Sequence, residues 1–176
     1  MRSVVVYESM YGNTHAIAEA IGEGLASATD VVVVPVIDAD PGLLDGADLV
    51  VVGGPTHAHG MARTSTRVAA VQTAAKKASG LSVEPHAAEG PGLREWLERL
   101  EGGGRRAAAF DTRASAPAAL TGRASKGITR ELRQRGFAIV TQPESFLVTK
   151  DNHLQPGEEA RARQWGRRLS EVAGTA

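Results

Sequence analysis

Three runs in the first third of the chain are apolar almost without interruption and rich in β-branched residues: Val4-Val5-Val6-Tyr7, Val31-Val32-Val33-Val34-Pro35-Val36 and Leu49-Val50-Val51-Val52. A strand with one wet face alternates apolar and polar residues. These do not alternate, so each strand is buried on both faces, which requires a sheet covered by helices on both sides. The strands are expected at residues 3–7, 31–36 and 49–52, with a weaker, alanine-dominated one at 107–110. A fifth is expected at 137–141 and resumes as 145–149, the Gln142-Pro143-Glu144 interruption marking a bulge or an edge position.

The segments between supply the helices. Residues 13–25 place Ile17, Ala20, Ile21 and Leu25 on one stripe, with Glu19 and Glu23 opposite. Residues 63–78 are alanine-rich, and 93–100 bring Leu93, Trp96, Leu97 and Leu100 into register. Residues 123–135 carry Ile128 and Leu132, and 156–172 carry Ala160, Trp165 and Leu169 as inward positions. Strands alternating with helices predict an α/β fold of three layers, doubly wound around a parallel sheet of five strands in the order 2-1-3-4-5. The link 38–46 is short, with a single helical turn expected at Gly42-Leu43-Leu44, and right-handed crossovers keep the sheet parallel.

A length of 176 residues with 42% hydrophobic side chains fills one core, so residues 1–176 are read as a single domain. The chain has no cysteine, which excludes disulfides, thiolate metal sites, iron–sulfur clusters and cysteine nucleophiles. Any redox role therefore needs a bound cofactor. Lys plus Arg and Asp plus Glu both total 20, so the charge balance favours neither a polyanion nor an anionic membrane. The many Arg residues of the second half have no aromatic platform beside them and read as solvent coating, not as a nucleic-acid surface. The amino-terminal apolar run stops at Glu8 and reads as a buried strand, not a signal peptide, and no stretch approaches the roughly 20 apolar residues of a membrane span. A cytoplasmic location is expected. Residues 79–92 show neither periodicity and read as a long surface loop, with Gly102-Gly103-Gly104 as a tight turn.

The first strand ends in Ser9-Met10-Tyr11-Gly12-Asn13-Thr14, and a helix begins at once. Unpaired N–H groups and the positive end of a helix dipole then stand at the carboxyl edge of the sheet, beside the Ser9 and Thr14 hydroxyls and the Asn13 amide. A phosphate monoester suits that donor set, compensated by amides and hydroxyls because the loop holds no Lys or Arg. The same residues also read as a helix cap followed by a glycine turn. The dinucleotide fingerprint and the P-loop motif are both absent.

The third strand runs into Gly53-Gly54-Pro55-Thr56-His57-Ala58-His59-Gly60-Met61, next to the first loop. His57 and His59 are its largest side chains. Without a nearby carboxylate or a cysteine they make a poor metal pair, which leaves polar loop residues or flat rings beside a ligand. The fourth strand ends in Asp111-Thr112-Arg113, where Arg113 is either solvent-exposed or a cation beside the ligand.

The first loop resembles the phosphate loop of flavodoxins, which wraps the phosphate of flavin mononucleotide (FMN). That resemblance implies phosphate contacts from Ser9, Gly12, Asn13 and Thr14, with backbone N–H groups from Met10 and Tyr11. The second loop is similar to the Gly-x-Pro-Thr loop of flavodoxin-like NAD(P)H:quinone oxidoreductases, which implies that Pro55, Thr56, His57, Ala58, His59 and Gly60 lie against the flavin ring. By position, Asp111, Thr112 and Arg113 would meet the pyrimidine edge, with Arg113 favouring the anionic reduced flavin. The chain departs from flavodoxins in lacking a Trp in the second loop and a Tyr in the third; its two tryptophans, Trp96 and Trp165, fall in helical patterns and read as packing residues. The span 79–104 exceeds the family's short connection and would shield the flavin or form a subunit contact. The implied function is FMN-dependent electron transfer, or an oxidoreductase acting on a small acceptor such as a quinone or on a redox partner protein, with NAD(P)H as a donor. The competing reading is a binding or structural module that has lost flavin. No catalytic side chain and no metal ligand is assigned.

Overall fold

A computed structural model describes residues 1–76 and 80–174. The elements in chain order are β1 (Arg2–Tyr7), α1 (Asn13–Leu25), β2 (Asp30–Pro35), β3 (Leu49–His57), β4 (Gly60–Met61), α2 (Thr64–Ala74), α3 (Leu93–Glu98), β5 (Arg106–Ala114), α4 (Ala118–Thr121), α5 (Ala124–Gln134), β6 (Ala138–Ile139), β7 (Glu144–Val148) and α6 (Glu158–Gly174). The β2–β3 connection holds two 3-10 turns, Val36–Asp38 and Pro41–Leu44, the second at the expected Gly42-Leu43-Leu44.

The sheet runs β2-β1-β3-β5, and both β6 and β7 pair with the outer edge of β5. β6 takes Arg106 and Ala107, while β7 takes Phe110 to Ala114, all in parallel. Together they occupy one interrupted fifth position, which is the expected order 2-1-3-4-5 with its last strand broken at Pro143. The tip of β3 folds back antiparallel as β4, with Thr56 opposite Met61 and His57 opposite Gly60.

Successive residues of the central strands point to opposite faces and both faces are dry. Val4, Val6, Val50 and Val52 pack with Leu93, Trp96 and Leu97 of α3 and with Ile128 and Leu132 of α5. Val5, Val51 and Phe110 pack with Ile17, Ile21 and Leu25 of α1 and with Trp165 and Leu169 of α6. Both tryptophans are core residues, Trp96 at 0% and Trp165 at 3% exposure.

Several boundaries differ from the expectation. The helix expected over 63–78 spans Thr64–Ala74; residues 77–79, including the end of that helix and the start of the expected 79–92 loop, lie outside the described residues. The inward stripe of α6 is Ala162, Trp165, Leu169 and Ala173, whereas Ala160 faces solvent, because the 3.6-residue period carries the stripe through 162 and not 160. No described helix is long and apolar enough to cross a membrane.

α1 and α6 cross at van der Waals contact between backbones. A Cβ on Gly166 would lie 2.3 Å from the Ile21 carbonyl oxygen, and one on Gly24 would lie 2.1 Å from the Arg163 carbonyl oxygen. Replacing glycine by alanine inside a helix ordinarily gains about 1 kcal/mol of propensity. Overpacking costs about 1–3 kcal/mol, and backbone atoms cannot swing aside, so the second term wins. Gly166→Ala is expected to lower the unfolding free energy by about 1–2 kcal/mol in urea titration, whereas a gain in stability would show that the two helices separate freely.

Candidate functional site

β1 ends its ladder early. Glu8 N–H donates to the Gly53 carbonyl at 3.0 Å, and the chain then leaves the sheet. β3 and β5 go on pairing as far as Pro55 and Thr112, and β5 and β7 as far as Ala114 and Val148. Residues 53–57 and 111–113, expected as loops, are therefore strand. Their glycines, proline and polar residues carry no strand signal, but β7 supplies partners that hold Asp111 to Ala114 extended. Gly53 is a packing residue, since a Cβ there would sit 2.1 Å from the Phe110 ring.

The stepped pairings enclose a cavity of about 280 Å3 lined by Ser9, Met10, Tyr11, Asn13 and Thr14 of the first loop, Pro55, Thr56 and His57 of β3, Thr112 to Ala114 of β5, Val148 at the end of β7, and Thr149, Lys150 and Asn152 after it. Its position is the crevice where the strand order reverses, and its size lies near the lower end of the roughly 300–1,000 Å3 of small-molecule pockets.

The first loop is built to leave donors free. Gly12 turns the chain at φ +89° and no side chain caps α1, so the first-turn N–H groups of Asn13, Thr14 and His15 lack intrahelical acceptors. Ser9 Oγ accepts from Gly12 N–H at 3.2 Å and sets the turn. The Tyr11 hydroxyl donates to the Ala70 carbonyl at 2.9 Å, pinning the loop to α2. The Asn13 side-chain amide donates to the Asn152 carbonyl at 2.8 Å, bridging to the loop after β7. Thr14, 2% exposed, shares a 2.7 Å hydrogen bond between its Oγ1 and that of Thr112. A hydroxyl pair thus joins the first loop to the third.

The remaining residues expected at the site divide. Gly12, Ala58, His59, Gly60 and Asp111 do not line this cavity. Asp111 is fully buried; its Oδ2 accepts from Ser125 N–H at 2.8 Å at the start of α5, where Thr56 Oγ1 likewise accepts from Ala124 N–H at 2.9 Å, and its Oδ1 has no partner among the described residues. Ala58 and His59 form the two-residue tip of the β3–β4 hairpin, both at positive φ, 44° and 71°. That turn sends the two histidines apart: His57 lines the cavity, and His59 lines a second one on the other side of the hairpin. Burial holds the His57 imidazole below its ordinary pKa, so it is a neutral ring near neutral pH. Arg113 does line the cavity, but its Nη1 donates to the carbonyls of Ala116 at 2.7 Å and Ala114 at 3.3 Å and to Thr121 Oγ1 at 3.3 Å. Its Nε is buried with no partner among the described residues.

Lys150 and Asn152 were not anticipated. They come from the far end of the chain with no motif around them, and only β7 brings them to the first loop. Lys150 adds the cation that the loop itself lacks. The span 80–92 does not line the main cavity. It packs beside the first loop, where Glu84 N–H donates to the Met10 carbonyl at 2.9 Å and Glu84 Oε1 lies 2.6 Å from His15 Nδ1. His15 stacks on Tyr7 at 4.8 Å between ring centroids. Burial and the nearby Glu84 push the Tyr7 phenol up to about 12.

The flavodoxin family model matches residues 5–165. The chain belongs to the flavodoxin family. Among solved structures, this flavodoxin-family chain resembles a flavodoxin from the domain Archaea (22% identity, TM-score 0.68, covering 99% of both chains) and oxidised flavodoxin 1 from Bacillus cereus (17%, TM-score 0.67, 100% and 99% covered). It also resembles a WrbA-like flavodoxin protein from Agrobacterium tumefaciens (22%, TM-score 0.59, 98% and 97% covered). A comparison with curated protein sequences finds no match. Family membership carries a redox, electron-transfer role in general terms.

Beneath the first loop, Glu8 is 4% exposed; its Oε2 accepts from Leu93 N–H at 2.7 Å and its Oε1 has no partner among the described residues. Burial raises its pKa, against the opposing pull of the Leu93 N–H and the Arg67 guanidinium. The folded state thus holds the Glu8 proton to higher pH than the unfolded chain. Below the ordinary glutamate range both states are protonated and no penalty exists. As pH rises from there through the raised folded value, the unfolded chain ionises freely and stability falls. Glu8→Gln keeps the acceptor for Leu93 N–H and cannot titrate, so its stability relative to wild type should grow as pH rises above about 4, measured by urea unfolding at constant ionic strength. Parallel curves would take Glu8 out of the titration.

Proposed function

We propose that the cavity binds FMN and that the protein exchanges electrons between that cofactor and a redox partner or a small acceptor such as a quinone, with NAD(P)H as a donor. The observation that carries this reading is the uncapped start of α1 facing the same cavity as the Thr14–Thr112 hydroxyl pair, at the point where the strand order reverses. The donor set fits a terminal phosphate: helix N–H groups, the Ser9 and Thr14 hydroxyls, the Asn13 amide and the Lys150 ammonium. Pro55, Thr56 and His57 on one side, with Thr112 and Arg113 on the other, would hold the ring. The unpartnered Arg113 Nε supplies a buried donor that a ring carbonyl or nitrogen would satisfy.

When bound, FMN supplies hydride and single-electron chemistry. The protein's task is position and field. Neutral His57 offers a flat, uncharged wall, and Arg113 offers a fixed positive charge that its carbonyl clasp prevents from swinging away. Electron transfer needs no acid or base from the protein at the ring, so no catalytic side chain is assigned. A cytoplasmic setting agrees with this role.

Titration of the apoprotein with FMN and with FAD, followed by flavin fluorescence, tests the reading. Tight binding of FMN in preference to FAD is expected, because the first loop closes around one phosphate and lacks the glycine-rich entry that a pyrophosphate needs. Binding of neither flavin would favour a module that has lost its cofactor.

Two substitutions rank the phosphate contacts. Thr14→Val removes a buried hydroxyl from a charge-assisted bond worth about 1.5–3 kcal/mol, so FMN affinity should fall roughly 10- to 150-fold. Lys150 is exposed, so its charge is screened by solvent and salt. Lys150→Ala should therefore cost less than roughly fivefold, and the loss should vanish at high salt. A large, salt-independent loss from Lys150→Ala beside little loss from Thr14→Val would mean that the phosphate sits against Lys150 and away from Thr14.

A further inference from the structure

On the far side of the β3–β4 hairpin lies a second, larger cavity of about 530 Å3. Its wall carries Arg94 of α3, and Arg123, Lys126 and Arg130 at the start and along one side of α5, together with His59, and no carboxylate. The spacing of three and seven residues from Arg123 puts the α5 cations on one stripe. A chain of zero net charge thus concentrates positive charge here.

The cations are of two kinds. Arg94 and Arg123 are anchored: Arg94 donates to the Ala62 and Met61 carbonyls, both at 3.2 Å, and Arg123 to Ser145 Oγ at 3.1 Å and the Pro143 carbonyl at 2.8 Å. Lys126 and Arg130 are exposed. Lys126 has no carboxylate partner among the described residues. Arg130 has only Glu131 at 4.0 Å, a pair too exposed to neutralise it.

Beside this crater stands an apolar knob. Leu120 is 69% exposed, the highest value among the large exposed hydrophobics described, and α4 buries none of its residues. A turn with no buried side chain gains nothing from the core. It is held instead by its own backbone bonds to Pro117 and by the Arg113 clasp on Ala116 and Thr121. The knob is thus presented in a set position, so less conformational entropy is lost on binding.

We propose that this face docks a second protein that presents carboxylates around an apolar recess: the recess takes Leu120 and the carboxylates meet Arg94, Arg123, Lys126 and Arg130. An apolar anchor within a charged, wet rim is the anatomy of a protein interface. A small anion would satisfy the crater and leave Leu120 uncovered. The purpose of the docking rests on the flavin reading. Arg113 and Ala114 line the cofactor cavity immediately before the knob, and the hairpin is the common wall of both cavities, so an acidic electron-exchange partner seated here stands next to the cofactor. The partner's polarity is the reverse of what an acidic carrier surface would select.

The test uses a small acidic [2Fe–2S] ferredoxin as the protein probe, basic cytochrome c as its opposite-charge control, and inorganic pyrophosphate as a small anion. Binding is read by amide chemical-shift perturbation and calorimetry on the full chain, with and without added FMN, at about 20 mM and about 300 mM salt. The ferredoxin should perturb His59, Leu120, Lys126 and Arg130 and bind at least roughly tenfold more weakly at the higher salt. The Lys126→Glu/Arg130→Glu double variant should weaken it by a further factor of roughly ten or more, and Leu120→Ser by several-fold, with the thermal midpoint unchanged because these side chains are exposed. Binding with or without FMN supports the docking face whatever the fate of the flavin reading, which the flavin titration tests separately. The proposal is overturned if the ferredoxin does not bind at low salt, if it perturbs another face, or if cytochrome c binds as tightly. It is equally overturned if Leu120→Ser has no effect while pyrophosphate alone reproduces the pattern, the signature of a small-anion site.

Discussion

The hydrogen bond from Glu8 N–H to the Gly53 carbonyl ends the pairing of β1 with β3, and the geometry of the carboxyl edge depends on that early stop. β3 and β5 continue to Pro55 and Thr112, and β5 and β7 to Ala114 and Val148. At roughly 3.3 Å per residue, each pairing ends higher than the last, so the paired edge of the sheet climbs in steps away from β1. The low step admits the start of α1 and the high step raises Thr112 to meet Thr14. Had β1 continued alongside β3, its backbone would occupy the place of the cavity, and the uncapped N–H groups of α1 would face another strand.

A second consequence is that three polar side chains at this edge serve helices. Glu8 accepts from the first N–H of α3, and Thr56 and Asp111 accept from the first two of α5. Each satisfies donors that a helix start leaves unpaired and fixes a helix against the sheet. Asp111 is therefore scaffold, although it sits between residues that line the cavity. What remains for a ligand is the first turn of α1, the one helix start at this edge among α1, α3 and α5 that no side chain from the sheet fills. The division of labour is plain in the contacts: Glu8 and Asp111 each give one buried oxygen to a helix N–H, whereas a phosphate-sized guest can bring its own charge.

The layered fold was legible because its signals are local. Uninterrupted Val runs announce strands buried on both faces, and the stripes of α1, α3 and α5 announce the helices that cover them. The first loop was legible too, since Ser9 to Thr14 lie within six consecutive positions. What escaped was set by distant pairing. Nothing near Asp111-Thr112-Arg113 marks them as strand; β7, more than thirty residues later, makes them so. Lys150 and Asn152 reach the site through the same strand. The two histidines look equivalent in sequence, but a two-residue turn with both residues at positive φ places them in different cavities. Ala160 was misassigned by two residues, enough on a helix to turn an inward position outward.

Arg113 joins the main cavity to the turn before α4. It lines the main cavity, yet its Nη1 is spent on the carbonyls that shape the turn before α4. The hairpin makes a similar connection, since His57 faces one cavity, His59 the other, and His59 bridges to Gly122, where a Cβ would stand 2.2 Å from the His59 carbonyl oxygen. The contact tolerates only glycine, so the hairpin tip and the end of α4 meet backbone to backbone. A coupling of this kind needs a physical connection and not mere proximity. Here it consists of one guanidinium clasp and one backbone bridge, which join the exposed knob to the wall of the main cavity.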